Sequence, residues 1–328
     1  MKQKIFLTLM AVALTACAAQ PTATVTPAPT PLTLMLDWTP NVNHTGLFVA
    51  QSKGYFAAHG LKVDIVQPGE VYAEQAVASG AADFGISFQE QVTLARAQDA
   101  VPLVSIAAIL QHNTSGFAAR AGEGVASPKN WEGLRYGSFG SPFEAPTLNA
   151  LMACAGGDAA QVQTVETGYT DPLALLSEKK IDFAWIFYGT QGVAAEAQGV
   201  QLDVVMMEDY RNCIPDYYTP VLIASESTIA ARPEVVRAFL AAVSEGYTFA
   251  IEKPEEAAAL LHEAAPETDL AVLKASQAWV SPRYRAEATR WGDQQLSVWE
   301  NYAAWMLAQG IIEKPLEAGK AFTSEFLP

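Results

Sequence analysis

The sequence predicts an α/β protein in two lobes joined by a two-stranded hinge. Three observations lead there. Short apolar runs of strand length alternate with helical segments from about 32 to 110 and again from about 134 to 206. The alternation breaks between them into "QHNTSGFAARAGEGVASPKN", residues 111–130. After a return strand at 217–225 the chain is nearly all helix.

The elements follow in order. "LTLMLDW" reads as a strand, and "GLFVAQSKGYFAAHG" has helical periodicity that stops at Gly60. "LKVDIVQPG" alternates like a strand, "AEQAVASG" is a short helix closed by Gly80, and "ADFGISF" is a strand. "QEQVTLARAQD" is a helix and "VPLVSIAAIL" a buried strand, which suits a parallel sheet. In the second set "LRYGSFG", "VQTVETG", "IDFAWIFYG" and "QLDVVMMED" are strands, while "EAPTLNALMACAG" and "DPLALLSEKK" are helices. "YYTPVLIAS" returns as a strand, and helices are expected at 233–251, 254–265, 268–279 and 284–309.

One α/β unit is thus interrupted by another. Lobe 1 is expected from 32–115 and 217–328, and lobe 2 from 116–216. The crossings fall near 111–121 and 211–220. A hinge of two crossings suits a protein that closes over a ligand.

The N-terminus points to a compartment. Lys2 and Lys4 precede an apolar stretch, Ile5 to Leu14, too short to span a bilayer. Leu14-Thr15-Ala16-Cys17 resembles a bacterial lipobox, so residues 1–16 read as a signal peptide and Cys17 as the lipid attachment site. Residues 18–31 alternate Thr, Pro and Ala and favour extended chain. At ~3.1 Å per residue such a tether reaches roughly 40 Å. The expected location is the extracytoplasmic face of a cell membrane, held by a lipid anchor.

Removing residues 1–16 leaves 18 basic residues against 35 acidic, a formal −17. A body this acidic repels phosphate backbones, which excludes nucleic acid as a partner. Besides Cys17 only Cys154 and Cys213 remain. They are read as buried thiols, with a disulfide as the alternative. No CxxC, HxxxH or HExxH spacing occurs, so no metal site is expected. "YGSFG" fails as a nucleophile elbow because Tyr136 stands where Gly is needed.

"LDWTPNVNHTGLFVAQSKGYFAAHGLKVD", "ASGAADFGISFQEQV" and "YGSFGSPFEAPTLNALM" together resemble the pyrimidine-precursor and vitamin-binding branch of the periplasmic solute-binding proteins. The family is also named for the yeast thiamine-pyrimidine synthases. The resemblance runs from about residue 32 to beyond 300. It implies a type II periplasmic-binding-protein fold, monomeric and without cofactor, that serves the permease and ATPase subunits of an ABC importer. It implies a flat vitamin as ligand: riboflavin is favoured, and formylaminopyrimidine, a thiamine precursor, is the alternative. The synthases are the rival from another class. They resemble enzymes that use a His and a Lys-bound pyridoxal phosphate near a Cys-rich motif, whereas this chain has four His and no Cys cluster. A binding protein is therefore expected, not an enzyme.

In open α/β sheets ligands bind beyond the carboxyl ends of strands. Trp38, Asn41 and His44 follow the first strand. Trp38 offers a face for stacking or packs the strand end. Asn41 pairs with ring nitrogens and carbonyls or with its own turn after Pro40. His44 donates to the ligand or caps the next helix. Tyr72 is a second wall. Phe88 and Gln89 end the third strand, and Glu90 stands in the first turn of the next helix, where the dipole favours it in any case. In the other lobe Ser138, Ser141 and Glu144 are candidates. Ser141-x-x-Glu144 reads as a capping box, but Pro146 disturbs it and would shift the helix start to itself, freeing both for the cleft. Trp185 and Tyr188 are the expected cleft residues of "IDFAWIFYG". Tyr217 and Tyr218 sit at the return crossing. Trp279, Trp291, Trp299 and Trp305 read as core.

Overall fold

The computed structural model describes residues 28–123, 125–168 and 170–328. The expected signal segment, Cys17 and most of the tether lie outside the described residues. The first strand, β1 (Thr30–Met35), begins inside the expected tether. Pro31 is tolerated there because this end of β1 has a neighbour on one side only: β2 (Leu61–Val66) pairs along the whole of β1, whereas β3 (Phe84–Ser87) joins only at Leu34 and Met35.

Between β1 and β2 lie α1 (Thr45–Ser52) and α2 (Tyr55–Ala58). Between β2 and β3 lies α3 (Ala73–Ser79), closed by Gly80 in the left-handed region at φ 76°. Next come α4 (Gln89–Ala97), β4 (Leu103–Ala108) and β5 (Ser115–Arg120). β5 occupies the stretch where the sequence pattern breaks. β6 (Arg135–Ser138), α5 (Glu144–Ala155), β7 (Gln163–Glu166), α6 (Pro172–Ser177) and β8 (Phe183–Phe187) follow. Then come α7 (Val193–Ala197), β9 (Leu202–Met206) and β10 (Val221–Ser225). The helical tail is α8 (Glu226–Ala231), α9 (Pro233–Glu252), α10 (Pro254–Ala264), α11 (Leu270–Val280), α12 (Leu296–Ala308) and α13 (Ala318–Ala321).

The strands form two five-stranded sheets of like design, β2-β1-β3-β10-β4 and β7-β6-β8-β5-β9. Both are mixed, not parallel. β10 runs antiparallel between β3 and β4, and β5 runs antiparallel between β8 and β9. Each antiparallel strand is the one that enters its sheet directly from the other lobe. It therefore has no βα crossover to turn it parallel.

The first core lies where α1 crosses α9. A Cβ on Gly246 would fall 2.0 Å from the Gly46 carbonyl oxygen, so only glycine permits this approach. The expected helix over 284–309 is shorter, α12 alone. Ala286 at φ 44° and Gly292 at φ 89° break the run, and Gly292 bridges to Ala108. Trp291, Trp299 and Trp305 are buried, whereas Trp279 is half-buried and packs on Tyr188 of the other lobe at 5.2 Å. Along α12, Trp299 joins a first-lobe cluster with Val92 and Val221. Tyr302, Trp305 and Met306 join the cluster of Phe117 and Trp131. Cys154 and Cys213 form a disulfide, which replaces the expected pair of thiols. The end of α5 and the loop after β9 bring them together, at a Cα separation of 6.0 Å.

Candidate functional site

The carboxyl ends of β1, β3, β6 and β8 and the second crossing converge on one cavity of about 950 Å³. Trp38, Asn41, Tyr72, Phe88, Ser141, Trp185 and Tyr217 line it. Five other expected residues do not, each for a local reason.

His44 is fully buried. Its Nδ1 accepts the Asn41 N–H at 3.3 Å, so the proton sits on Nε2, which faces Asp37 Oδ1 at 2.6 Å. The ring thus orients Asp37, which does line the cavity. Asn41 also builds its own turn: Oδ1 accepts from the Asn43 N–H at 2.9 Å, and Nδ2 donates to the Thr39 carbonyl at 3.0 Å. Gln89 is fully buried, with Oε1 accepting from the Tyr218 N–H at 2.8 Å and Nε2 donating to the Val298 carbonyl at 3.3 Å. It joins the second crossing to α12.

In the second lobe the helix begins at Glu144, not Pro146. Pro146 stands in the first turn, where an N–H has no intrahelical partner to lose, and Pro142 lies outside the helix. Glu144 turns back instead of facing the cavity. Its carboxylate accepts from the Tyr136 hydroxyl (2.6 Å), the Ser141 N–H (2.6 Å), the Phe139 N–H (3.2 Å) and Ser138 Oγ (3.3 Å). This occupies Ser138 and leaves Ser141 Oγ buried without a hydrogen-bond partner among the described residues. β8 continues to Phe187, so strand alternation puts Phe187 on the cleft face beside Trp185. Tyr188 lies beyond the strand, bonds to Glu196 and packs on Trp279.

Among the lining residues that sequence reasoning did not select are Asp37, Glu74, Phe139, Phe143 and Phe187, together with Glu90, which it set aside as a first-turn residue favoured by the helix dipole. Asp37 was visible as the residue before Trp38, and Glu74 as a first-turn residue at a strand-to-helix junction. Trp185 donates from Nε1 to Ser115 Oγ at 2.8 Å, which fixes its plane. Phe139 and Phe143 meet its edge at 6.2 and 6.0 Å. Tyr217 stacks on Tyr302 at 4.0 Å.

The electrostatics are one-sided. Asp37, Glu74 and Glu90 line the inner cavity, and no Lys, Arg or His lines it among the described residues. Burial pushes the Glu74 carboxyl up, opposed by the Ser87 hydroxyl bond and helped by Asp37. Burial, with repulsion from Glu74, pushes Glu90 up to about 8. Burial also holds the Tyr217 hydroxyl well above its usual range. Among the described residues no group of three or more His, Cys, Asp or Glu is arranged to hold a metal ion.

Residues 41–257 match the family model described as NMT1/THI5 like. The chain is 30% identical over 326 residues to the formylaminopyrimidine-binding protein of Halalkalibacterium halodurans, covering 98% of each. It is 29% identical to the riboflavin-binding protein RibY of Chloroflexus aurantiacus, covering 98% of this chain and 96% of the relative. Among solved structures it is similar to the alkanesulfonate-binding protein SsuA of Xanthomonas axonopodis pv. citri. The TM-score is 0.69 at 13% identity, over 91% of this chain and 99% of that one, a likeness of fold.

Proposed function

The chain belongs to the NMT1/THI5-like family, and we propose that it is the solute-binding component of an ABC importer that captures a formylaminopyrimidine-type base. One observation carries the choice of ligand. Stacking surfaces surround a cavity whose inner polar wall holds Asp37, Glu74 and Glu90 with no lining cation among the described residues. Such a wall calls for a planar solute rich in N–H donors and offers no cation to pair with a sulfonate, carboxylate or phosphate. An aminopyrimidine, with an exocyclic amine and a ring nitrogen that takes a proton, meets the demand. The same absence of a lining Lys or His argues against synthase chemistry on a Lys-bound cofactor. The name of the Halalkalibacterium relative supports the reading.

Riboflavin is the second reading, and cavity volume favours it. About 950 Å³ exceeds what one pyrimidine ring fills, and the lining extends to Gly310, Ile311 and Glu313. Anchoring through Cys17 and delivery to permease and ATPase subunits complete the proposal and rest on the N-terminal sequence and the family. The test is titration of the purified protein with each compound, followed by Trp quenching and, for the flavin, by loss of flavin fluorescence. Saturation by formylaminopyrimidine at one equivalent without turnover supports the first reading. Saturation by riboflavin alone moves the assignment to the second, and no response to either at high micromolar ligand overturns both.

A further inference from the structure

Glu90 stands in the first turn of α4, 4% exposed, and lines the cavity. Its Oε2 is buried and has no hydrogen-bond partner among the described residues. The titratable groups that face it are Glu74 from α3, Tyr217 from the second crossing and Tyr302 from α12. Asp37 acts on Glu74. None of these is a cation. Arg96, on the same helix, is committed to Glu226 at 2.7 Å and to the Leu103 carbonyl. A buried carboxyl oxygen left unpaired costs free energy that a bound partner recovers.

We propose that Glu90 is a specificity-determining residue whose carboxyl pairs with the edge of the ligand's ring, one oxygen accepting from an N–H while the other donates a proton to the adjacent lone pair. This deepens the reading that the cleft takes a flat heterocycle, whichever of the two it is. An aminopyrimidine offers its exocyclic amine beside a ring nitrogen. A flavin offers its imide N–H beside a carbonyl. No covalent bond forms, and the shared proton stays within the pair. With its carboxyl pushed up to about 8, Glu90 keeps that proton at neutral pH. Planar rings that lack an N–H beside an acceptor are rejected because they leave Oε2 of Glu90 unsatisfied.

The experiment measures Kd for formylaminopyrimidine and riboflavin from pH 6 to 9.5 in the wild type, Glu90→Gln and Glu90→Leu, with folding checked by circular dichroism. Gln carries a donor and an acceptor in the same plane, as the neutral acid does. The expected result for whichever compound binds is a wild-type affinity that falls about tenfold per pH unit above 8. Glu90→Gln should bind within about threefold of wild type at pH 7 without that fall, and Glu90→Leu should lose about tenfold or more. A folded Glu90→Leu that binds like the wild type overturns the inference and leaves the functional reading standing. So does a Glu90→Gln that loses as much as Glu90→Leu, since Glu90 would then act as an anion. Failure of the wild type to bind either compound overturns both.

Discussion

Phe88 and Phe187 stack across the cleft from opposite lobes, ring centroids 6.0 Å apart and planes 20° from parallel. Phe88 directly follows the central strand of one sheet and Phe187 ends the central strand of the other. Two rings that flank a third need roughly 7 Å between them, twice a normal contact distance, so the pair acts as one wall here. Phe88→Ala and Phe187→Ala should each weaken ligand binding by roughly 0.5–1.5 kcal/mol. The double variant should lose less than the sum, because each single change already removes the shared contact. Fluorescence titration of the four proteins decides it, and strict additivity would count against a paired wall.

Trp38 and Trp299 should separate binding from stability. Trp38 lines the cavity, whereas Trp299 is fully buried and stacks on Phe322 at 5.7 Å. Trp38→Ala should weaken binding with little change in Tm. Trp299→Ala should cost roughly 3–5 kcal/mol of stability through loss of burial and the cavity it leaves. Thermal melts beside titrations give both numbers for each variant, and a larger binding loss in Trp299→Ala would contradict the assignment.

The hinge should respond to pH through His112. Its Nδ1 meets Asp216 at 2.5 Å across the two crossings, and its Nε2 meets Glu287 at 3.0 Å. The Asp216 bond raises the His112 pKa against partial burial, with help from Glu287. A raised His pKa gives stability that is full below the unfolded value of about 6.5 and is lost as pH rises through the folded value. His112→Gln should therefore lower Tm most at pH 5.5–6.5 and least well above neutrality. These side chains are partly exposed, so added salt should shrink the difference. A Tm gap that widens with pH would refute the sign.

The Cys154–Cys213 disulfide closes a loop of sequence separation 59. The chain-entropy model assigns such a loop about 4 kcal/mol. Reduction, or the Cys154→Ser/Cys213→Ser double variant, should lower Tm accordingly. An identical melt with and without reductant would mean that the unfolded chain is not the state being restrained.

The strand ends were readable because apolar runs stop abruptly at polar clusters. Hence the α/β fold and a cluster such as Trp38, Asn41 and Phe88 emerge from the residues alone. Which polar group turns inward was not readable. His44, Gln89 and Glu144 stand at strand-to-helix junctions, yet each is consumed by backbone N–H or carbonyl groups that such junctions leave unpaired. Strand alternation would have found Phe187 in place of Tyr188 had β8 been carried one residue further. β5 was hidden because "SGFAAR" has small residues where a strand signal would be branched or aromatic. Gly116 shows why: a Cβ there would lie 2.6 Å from the Val205 carbonyl oxygen.

Helix α12 is rooted in both halves, with Trp299 in one cluster and Tyr302, Trp305 and Met306 in the other. Pulling the halves apart along that side would strip several aromatic surfaces into water at once. Were the halves to open, a swing about this helix would cost least. A swing moves the far lip most and the near wall least. In such a swing the rings at the far lip would travel, while Tyr217, stacked on Tyr302 beside the pivot, would stay nearly still as a fixed backstop.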